Sequence, residues 1–254
     1  MKVLRINLNK KEERFIYSEK LKEFEREFSY PLGQTNFSIK HGLKHDYFSF
    51  FEQLGQVHYL VIEEGNKIVG AICAILRQFD GCTKTWYLCD FKISKQHRGQ
   101  SLYKKLMIKF FFRLYWKNKK MFSMNMSSPH NNKIHNHSQK ILSKFSIQIE
   151  SRFLSQFTYS ELDKFDNFFW EKHYVVTNNN KKDIIIDGAA IPLYHIVKKE
   201  RYINGISVVN KKYLPEDGQF MFLTDKRLEI FSNEIEISFI HKENPGLYVS
   251  SAEI

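Results

Sequence analysis

A strand-like run, Thr85–Ser94 (TWYLCDFKIS), leads into a short basic turn, Lys95-Gln96-His97-Arg98-Gly99-Gln100. From Ser101 the chain takes a helical period. That order makes a binding site for an anion. The first amides of a helix have no partner within the helix, and the helix dipole adds partial positive charge at that end. Gly99 can adopt backbone angles that other residues resist, and it lets a ligand approach the main chain. Lys95, His97 and Arg98 add side-chain charge. Asp90 is the only acid in the preceding strand. An acid so placed serves either as a proton acceptor or as the ion-pair partner of a neighbouring lysine. His130, His135 and His137 fall within eight residues and raise the question of a metal site. They have no accompanying Cys or acid, and an i, i+2 pair diverges on a helix, so no metal is expected there.

The elements around this segment are legible in outline. Val3–Leu8 alternates weakly as a first strand, and Glu12–Phe28 carries Phe15, Leu21, Phe24 and Phe28 on a rough helical stripe. Pro31 and Gly33 end that helix, and Asp46–Leu54 is a short aromatic one. His58–Glu63 and Lys67–Leu76 flank Glu64-Gly65-Asn66 as a hairpin. The helix from Ser101 to Asn118 sets Leu102, Leu106, Phe110 and Leu114 on one i, i+4 row. Its aromatics lie all around, which predicts burial between a sheet and another layer. A strand at Lys120–Met126, a helix around His137–Phe145, a strand at Ser146–Tyr159 and a helix at Glu161–His173 follow. Beyond these, Asp183–Ile186, Gly205–Val209, Gln219–Leu223, Leu228–Phe231 and Glu236–Ile240 read as short strands.

The charge is uneven. Between Phe91 and Ile149 there are thirteen Lys and Arg and not one Asp or Glu, so the whole excess of the formal +11 lies in one segment. A one-signed segment attracts a polyanion: cofactor phosphates, a nucleic acid or an anionic membrane surface. It is equally the pattern of a solvated helix face. Three cysteines, an odd number without a CxxC pair, predict free thiols and a reducing, cytoplasmic setting. The first residues have no apolar core of a signal peptide, and Lys104, Lys105, Lys109 and Arg113 interrupt the most apolar stretch, so no membrane span is expected.

Gln96-His97-Arg98-Gly99-Gln100-Ser101 resembles the Q/R-x-x-G-x-G/A signature of the GNAT acetyltransferase superfamily, with Phe91–Ser94 before it as strand and Leu102–Met107 after it as helix. The resemblance covers roughly residues 55–150 and departs at Ser101, where Gly or Ala is usual. It implies a mixed α/β fold, a central sheet with helices on both faces. To this the strands listed last add a β-rich C-terminal extension, dividing the chain into an acyl-CoA-binding core at 1–160 and an extension at 161–254, on the acceptor side. The resemblance implies acetyl-CoA or another acyl-CoA as co-substrate, with its pyrophosphate on Gln96, His97, Arg98, Gly99, Gln100 and Ser101. The pantetheine arm would pair with the backbone of Phe91, Lys92 and Ile93. The reaction would be attack by an amine on the thioester. Asp90 would accept the amine proton, directly or through water, and Ser143, where the family commonly has a Tyr, would stand in for the acid that protonates the thiolate. Two alternatives belong to other classes: an acyl-CoA-binding protein without efficient catalysis, and a basic nucleic-acid-binding protein. The acceptor, a small molecule, peptide or protein bearing an amine, is not specified by the sequence.

Overall fold

The computed structural model describes residues 1–32, 35–42, 44–78, 84–114, 120–126, 146–179, 181–186, 188–200, 206–228, 234–242 and 249–253. In chain order the elements are β1 (Lys2–Arg5), α1 (Lys11–Glu25), β2 (Tyr30–Leu32), β3 (Thr35–His41), α2 (Ser49–Leu54), β4 (Gln56–Glu64), β5 (Lys67–Arg77), β6 (Thr85–Ile93), α3 (Leu102–Arg113), β7 (Met121–Asn125) and β8 (Ile147–Thr158). Then come α4 (Asn167–Lys172), β9 (His173–Thr177), β10 (Lys182–Ile186), β11 (Ala189–Ile191), β12 (Leu193–Lys198), β13 (Ser207–Val209), β14 (Gln219–Thr224) and β15 (Glu234–Lys242).

The expected hairpin is β4–β5, and its strands read as nearly unbroken apolar runs because both faces are covered. Alternate residues of β4 go to opposite layers. Leu60 and Ile62 pack with Leu102, Leu106 and Phe110 of α3, while Tyr59 and Val61 pack with Leu21 and Phe24 of α1 and Phe50 and Phe51 of α2. Helices therefore cover both faces of a mixed sheet. The row Leu102, Leu106, Phe110, Leu114 is buried as its spacing predicts, each side chain contributing roughly 1.5–3 kcal/mol by leaving water. The rest of that helix departs from expectation. Phe112 is 76% exposed and Ile108 56% exposed, so the aromatics are not all enclosed.

The large sheet runs β1-β4-β5-β6-β7-β15-β8-β14-β12-β9-β13, and a second sheet runs β11-β10-β3-β2. Two features join the parts that the sequence reading separates at residue 160. β15, near the end of the chain, lies between β7 and β8 and is antiparallel to both. The second sheet takes β2 and β3 from the first part and β10 and β11 from the last. Glu161–His173 is not one helix. A 3-10 turn at Tyr159–Lys164 gives way at Phe165 to extended backbone, and Asp166 then caps α4 by accepting from the Phe169 amide. Periodicity missed the β2–β3 hairpin, β9, β11 and β12. The expected helix at 137–145 lies outside the described residues, as do 229–231 of the strand expected at Leu228–Phe231.

Candidate active site

The turn after β6 leads directly into α3. Lys95–His97 forms one 3-10 turn, Arg98 is extended, Gly99 has φ 84°, Ser101 has φ 57°, and α3 begins at Leu102. Among the described residues the amides of Gly99, Ser101, Leu102, Tyr103 and Lys104 meet no backbone acceptor. A Cβ built on Gly99 would meet nothing within 4 Å, so protein packing leaves the space over this residue open. Ser101 holds a left-handed conformation, which is why Gly suits this position better than a residue with a side chain. Gln96, Arg98 and Gln100 are exposed. His97 is placed otherwise than the sequence suggests, since its Nε2 lies 2.9 Å from Glu64 Oε2 at the end of β4 and fixes the turn to the hairpin.

β6 and β7 are parallel neighbours for only three residue pairs, Trp86↔Met121, Tyr87↔Phe122 and Leu88↔Ser123. Past Leu88 they part, and β7 continues against β15 instead. β6 also bulges there. Ala71 faces Lys92 and Cys73 faces Cys89, so two residues, Asp90 and Phe91, stand opposite one on β5. Asp90 takes φ 50° to make that bulge. The parted strands open on a cavity of about 700 Å³. Its wall includes Cys89–Lys92 of β6, Ser123–Asn125 of β7, Tyr103 of α3, and His41 and Lys182 of the second sheet.

Beneath the bulge lies a buried polar network. Glu25, from the end of α1, accepts from the His41 amide at 2.8 Å and from Lys92 Nζ at 2.6 Å, and its Oε1 is 2.7 Å from His41 Nδ1. Asp90 pairs with Lys92 and accepts from Tyr59 and, at 2.7 Å, from Tyr47. Burial alone would raise the Glu25 carboxyl, but the charges of His41 and Lys92 hold it well below the usual range. Burial opposes ionisation of Asp90 too, and Lys92 and then His41 keep its carboxyl low. Burial likewise works against the Lys92 ammonium, which its two carboxylates hold above the ordinary lysine value. Tyr47 and Tyr59 are pushed up by burial and by Asp90. Glu25, His41 and Asp90 bring ligand-type atoms within 4.8 Å of one another, and the cation among them is the Lys92 ammonium. Asp90 is thus ionised and already the acceptor of three donors. Sequence reasoning named Asp90 but missed Glu25, His41, Tyr47 and Tyr59, which come from elements far away in the chain. Ser143, His130, His135 and His137 lie outside the described residues.

The family model for the acetyltransferase (GNAT) family matches residues 19–115, which contain the bulge of β6 and the turn at Gln96–Ser101 but not β7. This segment is a GNAT acetyltransferase domain. Beyond it, the fold likeness extends over nearly the whole chain. A tandem GNAT protein from the clavulanic acid biosynthesis pathway superposes over 94% of this chain and 97% of its own with a TM-score of 0.50 at 10% identity. Smaller parts match an aminoglycoside 6'-N-acetyltransferase complexed with coenzyme A, at 12% identity over 59% of this chain and 86% of that one, TM-score 0.33. A putative acetyltransferase from Thermoplasma acidophilum matches at 11% identity over 72% and 77%, TM-score 0.39. No curated protein sequence matches the chain. GNAT domains use acetyl-CoA. Among the described residues no helix is long and apolar enough to cross a membrane.

Proposed function

We propose that this protein transfers an acetyl group from acetyl-CoA to an amine acceptor in the cytoplasm. The observation that carries the reading is the adjacency of the cradle at Gln96–Ser101 to the cavity where β6 and β7 part. In this reading the amides of Gly99 and Ser101 and the first turn of α3 hold the pyrophosphate, with Arg98 as a charge-assisted partner. The backbone of Phe91, Lys92 and Ile93, which β7 leaves unpaired on that side, takes the pantetheine arm as a further strand would. The Lys92 side chain has a separate duty inside the network.

Asp90 acts in this reading through its charge. The Asp90 carboxylate stands in the cavity wall and stays ionised there. Its field favours the positive charge that develops on an amine nitrogen as its bond to the thioester carbon forms. Asp90 accepts the amine proton only if a donor among Tyr47, Tyr59 and Lys92 yields its place. Ser143 stays a proposed proton donor to the thiolate. The engagement of Asp90 also supports the second reading, an acyl-CoA binder without efficient catalysis.

The test is calorimetric titration of CoA and of pantetheine into the wild type and Arg98→Ala, with thiol release from acetyl-CoA followed over a panel of amines. CoA binding that weakens about ten- to a hundredfold in the variant, with pantetheine little affected, supports the cradle. Release of thiol with an amine supports transfer, and CoA binding without release under any amine supports the second reading. Absence of CoA binding by the wild type ends both.

A further inference from the structure

Lys182 and His41 are directly opposite each other in the antiparallel pair β10–β3. Directly paired residues show their side chains on the same face of a sheet, and both of these line the cavity. Lys182 is 6% exposed. Its Nζ lies 5.0 Å from the centre of the Phe50 ring, and among the described residues it has no hydrogen-bond acceptor and no carboxylate partner. Lys92, as deeply buried, is held by two carboxylates. The two lysines in one cavity wall therefore have opposite chemistry. A paired, buried ammonium stays charged, whereas a buried amine without a partner gives up its proton easily.

The titratable groups around Lys182 are Cys89, Asp90 and Lys92 on β6, Glu25 on α1, His41 on β3 and His195 on β12. Burial pulls the ammonium down to about 8 against the negative charge of Glu25 and Asp90. At neutral pH Lys182 is then a free amine far more often than an ordinary lysine is. Cys89 and Asp90 sit where β6 and β7 part, the place at which the proposed function brings in the thioester.

We propose that Lys182 is an acyl acceptor within its own chain, a self-acetylation site on the second-sheet wall of the cavity. The inference rests on the acetyl-CoA reading above. The lone pair of the free Nζ attacks the thioester carbonyl carbon. The N–C bond forms, the C–S bond breaks, and the CoA thiolate leaves. The proton lost by the nitrogen passes through solvent to the thiolate. The products are Nζ-acetyl-lysine and CoA thiol, with nothing oxidised or reduced. The acetamide is neutral and longer than the amine, so it occupies the acceptor side of the cavity and limits further turnover.

The experiment incubates the full chain with isotope-labelled acetyl-CoA and follows the intact mass and the peptide that carries Lys182, while CoA binding is measured in parallel by calorimetry. The expected result is one added acetyl group at Lys182, formed at least tenfold faster than at any surface lysine, with a rate that climbs as pH rises towards about 8. In Lys182→Arg the fast acetylation is lost and CoA affinity is kept. CoA binding without preferential acetylation of Lys182 overturns the inference and leaves the proposed function standing. Preferential acetylation by acetyl phosphate in the absence of CoA, at the same rate, also overturns it. Failure of the wild type to bind CoA overturns the proposed function and this inference with it.

Discussion

Lys92 Nζ on β6 lies 2.6 Å from Glu25 Oε1 at the end of α1, so two residues 67 positions apart lock the first helix to the bulged strand. The pair is almost free of solvent, and its geometry is supported by Asp90, Tyr47 and His41. Removing one member of a buried pair leaves an uncompensated charge, which costs far more than the net worth of the pair. Glu25→Gln and Lys92→Met should each destabilise the fold by about 3–5 kcal/mol. The double substitution should cost less than the sum. Urea denaturation of the four proteins measures the coupling, and additive losses would show that the two residues do not depend on each other.

His195 on β12 predicts a slope of stability with pH. Its ring is buried, with Nδ1 3.2 Å from Ser251 Oγ and Nε2 3.2 Å from Asn178 Nδ2. Ser251 donates to the Met221 carbonyl, so its hydroxyl accepts from the ring Nδ1, and Nε2 accepts from Asn178. The ring is neutral with both nitrogens used. Burial, with the nearby charge of Lys182, lowers its pKa to about 3. The unfolded imidazole takes a proton near pH 6.5, so between these values the unfolded chain holds one more proton than the folded one. Stability should fall by roughly 1.4 kcal/mol per pH unit as pH drops from about 6 to about 4. Glu25, whose folded carboxyl is held low, adds its own loss below about pH 4. His195→Gln should flatten the upper part of the curve. An unchanged slope in that variant would assign it to other groups.

Gly99→Val should abolish CoA binding while leaving the fold in place. A Cβ at this residue meets no protein atom, so the cost to the free protein is backbone strain at φ 84°, about 1–2 kcal/mol. The branched side chain would stand in the space over the amides that the phosphates are proposed to fill. Calorimetry with CoA and thermal unfolding without it separate the two effects. Wild-type affinity in the variant would mean that the turn is not a phosphate cradle.

A chain ended at residue 160 should not fold. It lacks β15, whose removal strips the partner from β7 on one side and from β8 along nine residue pairs. It also lacks β10 and β11, half of the second sheet. We expect aggregation, or circular dichroism without a cooperative transition. A soluble short chain that melts cooperatively and binds CoA would show that residues 161–254 form an extension separable from the core.

The sequence by itself determined the local grammar of the site. The i, i+4 row of α3, the Glu64-Gly65-Asn66 turn of the β4–β5 hairpin and the basic turn with Gly99 are signals carried by residues a few positions apart, and local periods survive whatever the rest of the chain does. They sufficed for the β4–β5 hairpin and the buried row of α3, while the mixed sheet with helices on both faces was what the family resemblance implied. Tertiary structure decided the rest. Asp90 stands out in the sequence as a lone acid, but its state follows from Tyr47, Tyr59, Lys92 and Glu25, which come together from α1, the segment before α2, β4 and β6. Nothing in the run Glu234–Lys242 says that it enters the sheet between β7 and β8, because a strand's period reports which face is buried and not which neighbour it takes. The difference between Lys92 and Lys182 is of the same kind. Both are lysines in strand-like runs, and only the fold gives one two carboxylates and the other an aromatic ring and open space. Electrostatic energy depends on distance in space and on water excluded by packing, and neither is a property of neighbours along the chain.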